Sequence, residues 1–175
     1  MEKRKICMLG ATGVGKTSLV ARYVRSIFSD AYRTTIGVTI DKRRIREGRS
    51  ELDLVIWDLS GEDEFQSVSR SYMRGAAGLL VVVDGTRRAT AETALRLHAE
   101  ARAIVGDVPR VFVLNKSDLV ATWDLDQAAE AALRAPAAAL VRTSARTGAG
   151  VEDAFSALVR AMMTGDREHP SRGVG

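Results

Sequence analysis

Residues 10 to 17 read Gly10-Ala-Thr-Gly-Val-Gly-Lys16-Thr17 and fit G-x-x-x-x-G-K-[ST] at every position. Glycine at 10, 13 and 15 lets the backbone wrap closely, so successive N–H groups can point at phosphate oxygens. A helix beginning at Lys16 adds the partial positive charge of its amino-terminus. Lys16 can neutralise the β- and γ-phosphates, and the Thr17 hydroxyl can ligate a magnesium ion that also holds phosphate oxygens. Gly10, Thr12, Gly13, Val14, Gly15, Lys16, Thr17 and Ser18 are therefore the candidate phosphate loop. The competing reading, a glycine turn with a capping Thr, is disfavoured by the apolar run before the loop and the helical spacing after it. ATPases, nucleotide kinases and GTPases all use such a loop, so the base must be read elsewhere.

Two later segments read it. Leu114-Asn115-Lys116-Ser117-Asp118 closes an apolar run, and a carboxylate there can accept from both N1–H and the exocyclic amine of guanine, a donor pair adenine lacks. Thr143-Ser144-Ala145-Arg146 closes the next run, where a backbone N–H can reach the guanine carbonyl. An ATP-dependent phosphotransferase on the same loop is disfavoured on these grounds.

The elements that must position these loops follow from periodicity. Lys3 to Leu9 is an apolar strand, and Lys16 to Arg25 has helical spacing through Leu19, Val20, Tyr23 and Val24. Val38 to Arg46 and Leu52 to Asp58, joined by a turn at Gly48, form a predicted antiparallel hairpin. After a polar segment, strands at Gly78 to Val83, Val111 to Leu114 and Ala139 to Arg142 alternate with helices near Ala91 to Val105, Asp124 to Arg134 and Val151 to Met163. The continuously apolar late strands are those of a parallel sheet covered on both faces, with ligands gathered at its carboxyl ends. The expected fold is an α/β P-loop domain over 1–164: a mostly parallel six-stranded sheet with one antiparallel edge strand, followed by a disordered tail over 165–175.

Bulk properties narrow the class. The 175 residues are 46% hydrophobic and 27% charged, enough for one domain with one core. A net charge of +4 comes without any aromatic-interleaved basic patch, so no nucleic-acid partner is expected. The single cysteine, Cys7, excludes a disulfide scaffold and suits a reducing cytoplasm. No run reaches the roughly 20 apolar residues of a membrane span, and the sequence shows no myristoylation or prenylation signal, so neither a span nor a lipid anchor is expected. Alanine, arginine and glycine usage is of a prokaryotic cast.

The phosphate loop, Thr34-Thr-Ile-Gly-Val38, Trp57-Asp-Leu-Ser-Gly61, Asn115-Lys-Ser-Asp118 and Ser144-Ala145 resemble, in order and spacing, the motifs of Ras-superfamily GTPases. With Ile56-Trp57-Asp58 and Tyr72-Met-Arg-Gly-Ala76 the chain is most similar to the Rab branch, from which it departs in lacking carboxy-terminal cysteines. The resemblance implies a GTP/GDP switch with magnesium. It places Phe28 against the guanine face, Asp30 near the ribose, Tyr32 beside the nucleotide, and Asn115, Lys116, Asp118, Leu119, Ser144, Ala145 and Arg146 around the base. Thr17, Thr35 and Asp58 would serve the metal, and Lys16, Thr35, the Gly61 N–H and position 62 would serve catalysis. Phe28 also reads as a core aromatic after the first helix.

Position 62 is where the resemblance breaks. Most members have glutamine there to orient the attacking water; this chain has Glu62, followed by Asp63 and Glu64. An ionised carboxylate about 4 Å from a phosphate oxygen costs up to about 4 kcal/mol at an effective dielectric of about 20. Glu62 must therefore swing out, take up a proton or pair with a cation such as Arg33 or a partner's arginine, and slow hydrolysis by the isolated protein is expected. A solvated acid at a helix start is the plainer reading of Glu62; a GTP-loaded scaffold that does not hydrolyse is the alternative function.

Effectors are expected on Thr35 to Ile40, Trp57 and Tyr72, together with an exchange factor, a GTPase-activating protein and a monomeric state. Lys42-Arg-Arg-Ile-Arg46 reads first as edge-strand protection and second as a dock for an anionic membrane or acidic partner. His98 and His169 have no ligand or base at a meaningful spacing.

Overall fold

Apolar strands that run into glycine-rich or polar loops build the centre of the molecule, seen in a computed structural model that describes residues 2–29, 31, 37–59 and 68–168. In chain order the elements are β1 (Glu2–Leu9), α1 (Lys16–Arg25), β2 (Val38–Glu47), β3 (Ser50–Leu59), α2 (Val68–Met73), β4 (Gly78–Asp84), α3 (Ala89–Val105), β5 (Arg110–Asn115), α4 (Gln127–Arg134), β6 (Ala139–Arg142) and α5 (Val151–Glu168). The sheet has six strands in the order β2-β3-β1-β4-β5-β6. Only β2 and β3 pair antiparallel; the other neighbours are parallel. This is the small-GTPase form of the P-loop α/β fold.

Strand alternation divides the core. Ile6, Met8, Leu54, Ile56, Leu80 and Val82 face α1 and α5, where Tyr23 stacks on Phe155 with ring centroids 3.8 Å apart. Cys7, Leu9, Leu59, Leu79, Val81 and Phe112 face the opposite way, against α2, α3 and α4. β4 is buried along its whole length, as expected for a central parallel strand. After β1 the chain builds outward to β2 and β3, then returns to add β4 on the other side of β1. The carboxyl end of β1 is thus the topological switch point, and the glycine-rich loop leaves from it.

Three boundaries differ from expectation. The helix expected from Asp124 starts at Gln127, because Asp126 caps it by accepting from the Ala129 N–H at 2.8 Å, and Val120–Thr122 forms a separate 3₁₀ turn. The polar stretch before β4 contains α2, whose short amphipathic pattern gave no periodic signal. α5 continues to Glu168, so residues 165–168 are helical rather than tail. Among the described residues, no helix is long and apolar enough to cross a membrane.

Candidate nucleotide site

Backbone geometry at the end of β1 depends on two glycines. Gly10 has φ +148°, and a Cβ there would lie 2.5 Å from the Val82 carbonyl oxygen of β4. Gly15 has φ +102°, and a Cβ there would lie 2.3 Å from Asn115 Nδ2. Both close approaches require glycine. They bring the loop over the sheet end and against the segment after β5.

Lys16 is folded back beneath this loop. Its Nζ donates to the Gly10 carbonyl at 2.9 Å and the Ala11 carbonyl at 3.1 Å. Burial brings its pKa from 10.5 down to about 8, while the neighbouring Asp58 carboxylate works in the opposite direction. Asp58, at the end of β3, is 1% exposed. Burial raises its pKa, against the Thr17 hydrogen bond and the Lys16 charge that lower it. Thr17 Oγ1 donates to Asp58 Oδ2, whereas among the described residues Asp58 Oδ1 has no hydrogen-bond partner. A buried carboxylate oxygen without a donor, beside a hydroxyl oxygen, is the hard-oxygen donor set a magnesium ion takes. The residues present therefore fit the metal.

At the base end the polar groups are satisfied by one another. Asn115 is 2% exposed; its Nδ2 donates to the Val14 carbonyl at 3.0 Å, and its Oδ1 accepts from Thr143 Oγ1 at 3.1 Å and the Ala145 N–H at 3.2 Å. One amide thus ties the phosphate loop to both base segments. Lys116, at φ +66°, donates to the Gly13 carbonyl at 3.0 Å and pairs with Asp84 at 2.7 Å. Asp118 is exposed at the mouth and accepts from Ser144 Oγ at 2.7 Å through Oδ1. Leu119 is 42% exposed beside it, and Arg146 is also exposed. Thr12, Gly13, Gly15 and Ser18 are half-buried, Val14 is buried and Thr17 is exposed. Phe28 is half-buried and packs on the core cluster beneath α1. Asp30, Tyr32, Thr35, Gly61 and Glu62 lie outside the described residues.

Supporting groups that motif reading missed stand on other elements. Asp84, at the end of β4, is pushed up by burial but held below the usual carboxylate range by Lys116, Thr86 and Arg87. Arg87 pairs with Asp84 at 2.9 Å and donates to the Thr12 carbonyl at 3.0 Å, bracing the phosphate loop from outside. Arg22 of α1 donates to the carbonyls of Ala145, at 2.8 Å, and Arg146. The Asp84-Gly-Thr-Arg87 turn, following an apolar strand, was the available signal for the first pair; nothing local marks Arg22.

A glycine-rich loop at the switch point, with paired loops at two neighbouring strand ends, defines a phosphate-loop nucleotide-binding domain of the small-GTPase class. The Ras family model matches residues 5–164. The Ras-related protein Rab-1A of Dictyostelium discoideum is 35% identical over 156 residues, covering 88% of this chain and 77% of that relative. The chain belongs to the Ras family and is a small GTPase of Rab type, a GTP-dependent molecular switch. Members of this family bind GTP or GDP with magnesium and work with effectors, exchange factors and GTPase-activating proteins.

Proposed function

We propose that the loops at 10–18, 115–119 and 143–146 hold GTP or GDP, and that the isolated protein hydrolyses GTP slowly because Glu62 stands where glutamine is usual. The observation that carries the site is the Asn115 side chain, which spans the Val14 carbonyl and the Ala145 N–H and makes the phosphate and base loops one unit. Lys16 and the loop N–H groups stabilise charge on the β- and γ-phosphates. Thr17, Thr35 and Asp58 would hold magnesium, which when bound would supply further positive charge for phosphoryl transfer. Water attacks the γ-phosphorus in line, the bond to the β–γ bridging oxygen breaks, and GDP departs with that electron pair. Asp118 selects guanine through the N1–H and exocyclic amine, with Ser144 fixing the carboxylate.

Thr35 and the Gly61 N–H contact the γ-phosphate only in the triphosphate state, so the ligand biases the segments that carry them. Effectors read those segments together with Ile40, Trp57 and Tyr72. A free, buried thiol at Cys7 is in keeping with a cytoplasmic home.

Single-turnover GTP hydrolysis with magnesium, comparing the unmodified protein with Glu62→Gln at equal loading, tests the catalytic part. Acceleration by glutamine is the expected result. Equal, appreciable rates would assign water positioning to another residue, and absence of turnover in both would mean a scaffold or an obligatory activating partner. Asp118→Asn should shift preference from guanine toward xanthine nucleotides; unchanged GTP preference would sink the base-site assignment.

A further inference from the structure

Among the described residues, one face of the outer sheet is left uncovered. Along β2, Ile40, Lys42, Arg44 and Arg46 are exposed, while Asp41, Arg43 and Ile45 between them are half-buried on the side of α1 and α5. Register aligns Arg44 with Asp53, Lys42 with Val55 and Ile40 with Trp57. On the far side of β3, the same register sets Lys3 of β1 beside Asp53 and Lys5 beside Val55. Cations therefore flank β3 from both neighbouring strands, with Asp53 and Glu51 as the carboxylates among them.

The charges are held in place without being consumed. Asp53, nearly buried, accepts from both Lys42 at 2.8 Å and Arg44 at 3.1 Å, so one carboxylate serves two cations. Arg46 pairs with exposed Glu51 at 2.8 Å. The Arg46–Glu51 pair, exposed on both sides, contributes little and exchanges readily for another carboxylate, whereas Lys42 and Arg44, each more than half exposed, share the single charge of buried Asp53. At one end the row meets an apolar step: Ile40 is 52% exposed, and Trp57 and Tyr72 are half-buried with ring centroids 5.8 Å apart. Lys5 lies 3.7 Å from the Trp57 ring centroid and donates to carbonyls at the end of α2, so this step is firmly backed.

Edge-strand protection accounts for charge on β2. It does not account for exposed Lys3 on the same face of β1, an interior strand where, among the described residues, only Lys5 is engaged by Trp57 and the end of α2. We propose that this face is the seat of an acidic segment of a partner protein. The segment is apolar where it meets Ile40, Trp57 and Tyr72, and its carboxylates run along Lys42, Arg44 and Arg46. Residues two apart on a strand stand about 6.8 Å apart, close to the roughly 6 Å between positions i and i+4 of a helix, so acidic residues every fourth position of a partner helix meet successive cations. A bilayer is the poorer fit, since its headgroups would press on Asp53 and Glu51 as well. The partner's identity as an effector rests on the reading under Proposed function; the docking face does not.

The test selects from a random-peptide display library on protein loaded with a non-hydrolysable GTP analogue and magnesium, then measures the recovered peptides by fluorescence anisotropy. The expected peptides are rich in Asp and Glu with one apolar cluster, and weaken on raising salt from about 50 to about 300 mM. They should bind about tenfold more weakly to Lys3→Glu/Arg46→Glu, to Lys42→Gln/Arg44→Gln and to Ile40→Ala. The first pair leaves Asp53 with its partners, and fluorescent-GDP loading verifies that each variant is folded. Peptides without acidic enrichment, or bound equally by all variants, would overturn the proposal. So would failure to recover acidic peptides combined with phosphatidylserine vesicle binding that the same variants abolish. Peptide binding indifferent to GDP or GTP analogue would remove the effector reading and leave the docking face standing; if the unmodified protein loads no nucleotide, the proposed function falls, and the same selection on nucleotide-free protein, with folding verified by circular dichroism, decides the docking face by the same criteria.

Discussion

The two ends of the proposed nucleotide site are prepared in opposite ways. At the base end, Asn115 has its amide and carbonyl engaged, Lys116 bridges Gly13 and Asp84, and Asp118 is steadied by Ser144. At the phosphate end, a buried lysine is turned onto loop carbonyls, and among the described residues a buried aspartate keeps an oxygen without a donor. The base end is preorganised by the protein's own hydrogen bonds. The phosphate end keeps charges that are costly to bury until ligand and metal arrive. Affinity for the base should therefore be built into the fold, whereas stability of the phosphate end should depend on occupancy and pH.

The largest effect expected comes from breaking the base end. Asn115→Ala removes three hydrogen bonds and leaves buried groups unsatisfied, a loss of about 4 kcal/mol in unfolding free energy, together with greatly weakened GDP binding. Urea denaturation and GDP titration check it; a loss below about 1 kcal/mol would mean the two loops hold together without the amide.

The phosphate end is sharpened by pH. Burial carries Lys16 from 10.5 to about 8, so between those values the unfolded chain binds more protons than the native one. Ligand-free stability should consequently rise across that window, by up to about 3 kcal/mol, its penalty being full below pH 8 and gone near 10.5. Bound nucleotide phosphate should flatten the slope. Denaturation of nucleotide-free protein across this range reads the sign directly, and a falling contribution from Lys16, isolated with Lys16→Met, would contradict the argument.

Next in size is the metal. If Asp58 Oδ1 awaits magnesium, saturating the GDP-loaded protein at about 100 times the dissociation constant should add about 2.7 kcal/mol to its stability. Asp58→Asn should lose most of that increment while still binding GDP. An undiminished magnesium effect would move the metal away from β3.

The smallest effect belongs to the outer brace. Arg87→Ala removes one hydrogen bond to the Thr12 carbonyl and one of the partners of buried Asp84, which Lys116 and Thr86 still hold, worth about 1 kcal/mol, and should speed GDP release about fivefold. Stopped-flow release of fluorescent GDP is the measurement. Unchanged release would show that the phosphate loop needs no support from β4.

Much of this could be read before any coordinates. The Gly10–Thr17 loop, Asn115 to Asp118 and Ser144-Ala145 are contiguous motifs whose chemistry follows from residue type and immediate context, and the strands follow from apolar runs, except charged β2, which follows from the hairpin turn at Gly48. The onset of α4 was misplaced because capping by Asp126 outweighs the apparent start at Asp124. Arg22, Asp84 and Arg87 were not legible as site residues, because each acts on a carbonyl or ammonium far away in sequence.

What the amino-acid sequence determined alone is the local chemistry: which turn can wrap a phosphate, which carboxylate can read guanine, and which position lacks the usual glutamine. Only the tertiary structure decided which charges share a face and which lack partners. Lys3 and Arg44 flank one carboxylate because β1 and β2 pair on either side of β3, and among the described residues Asp58 is short of a donor because the sheet buries it away from water. Strand register and burial are sums over contacts between distant residues, whereas a motif is a property of neighbours along the chain.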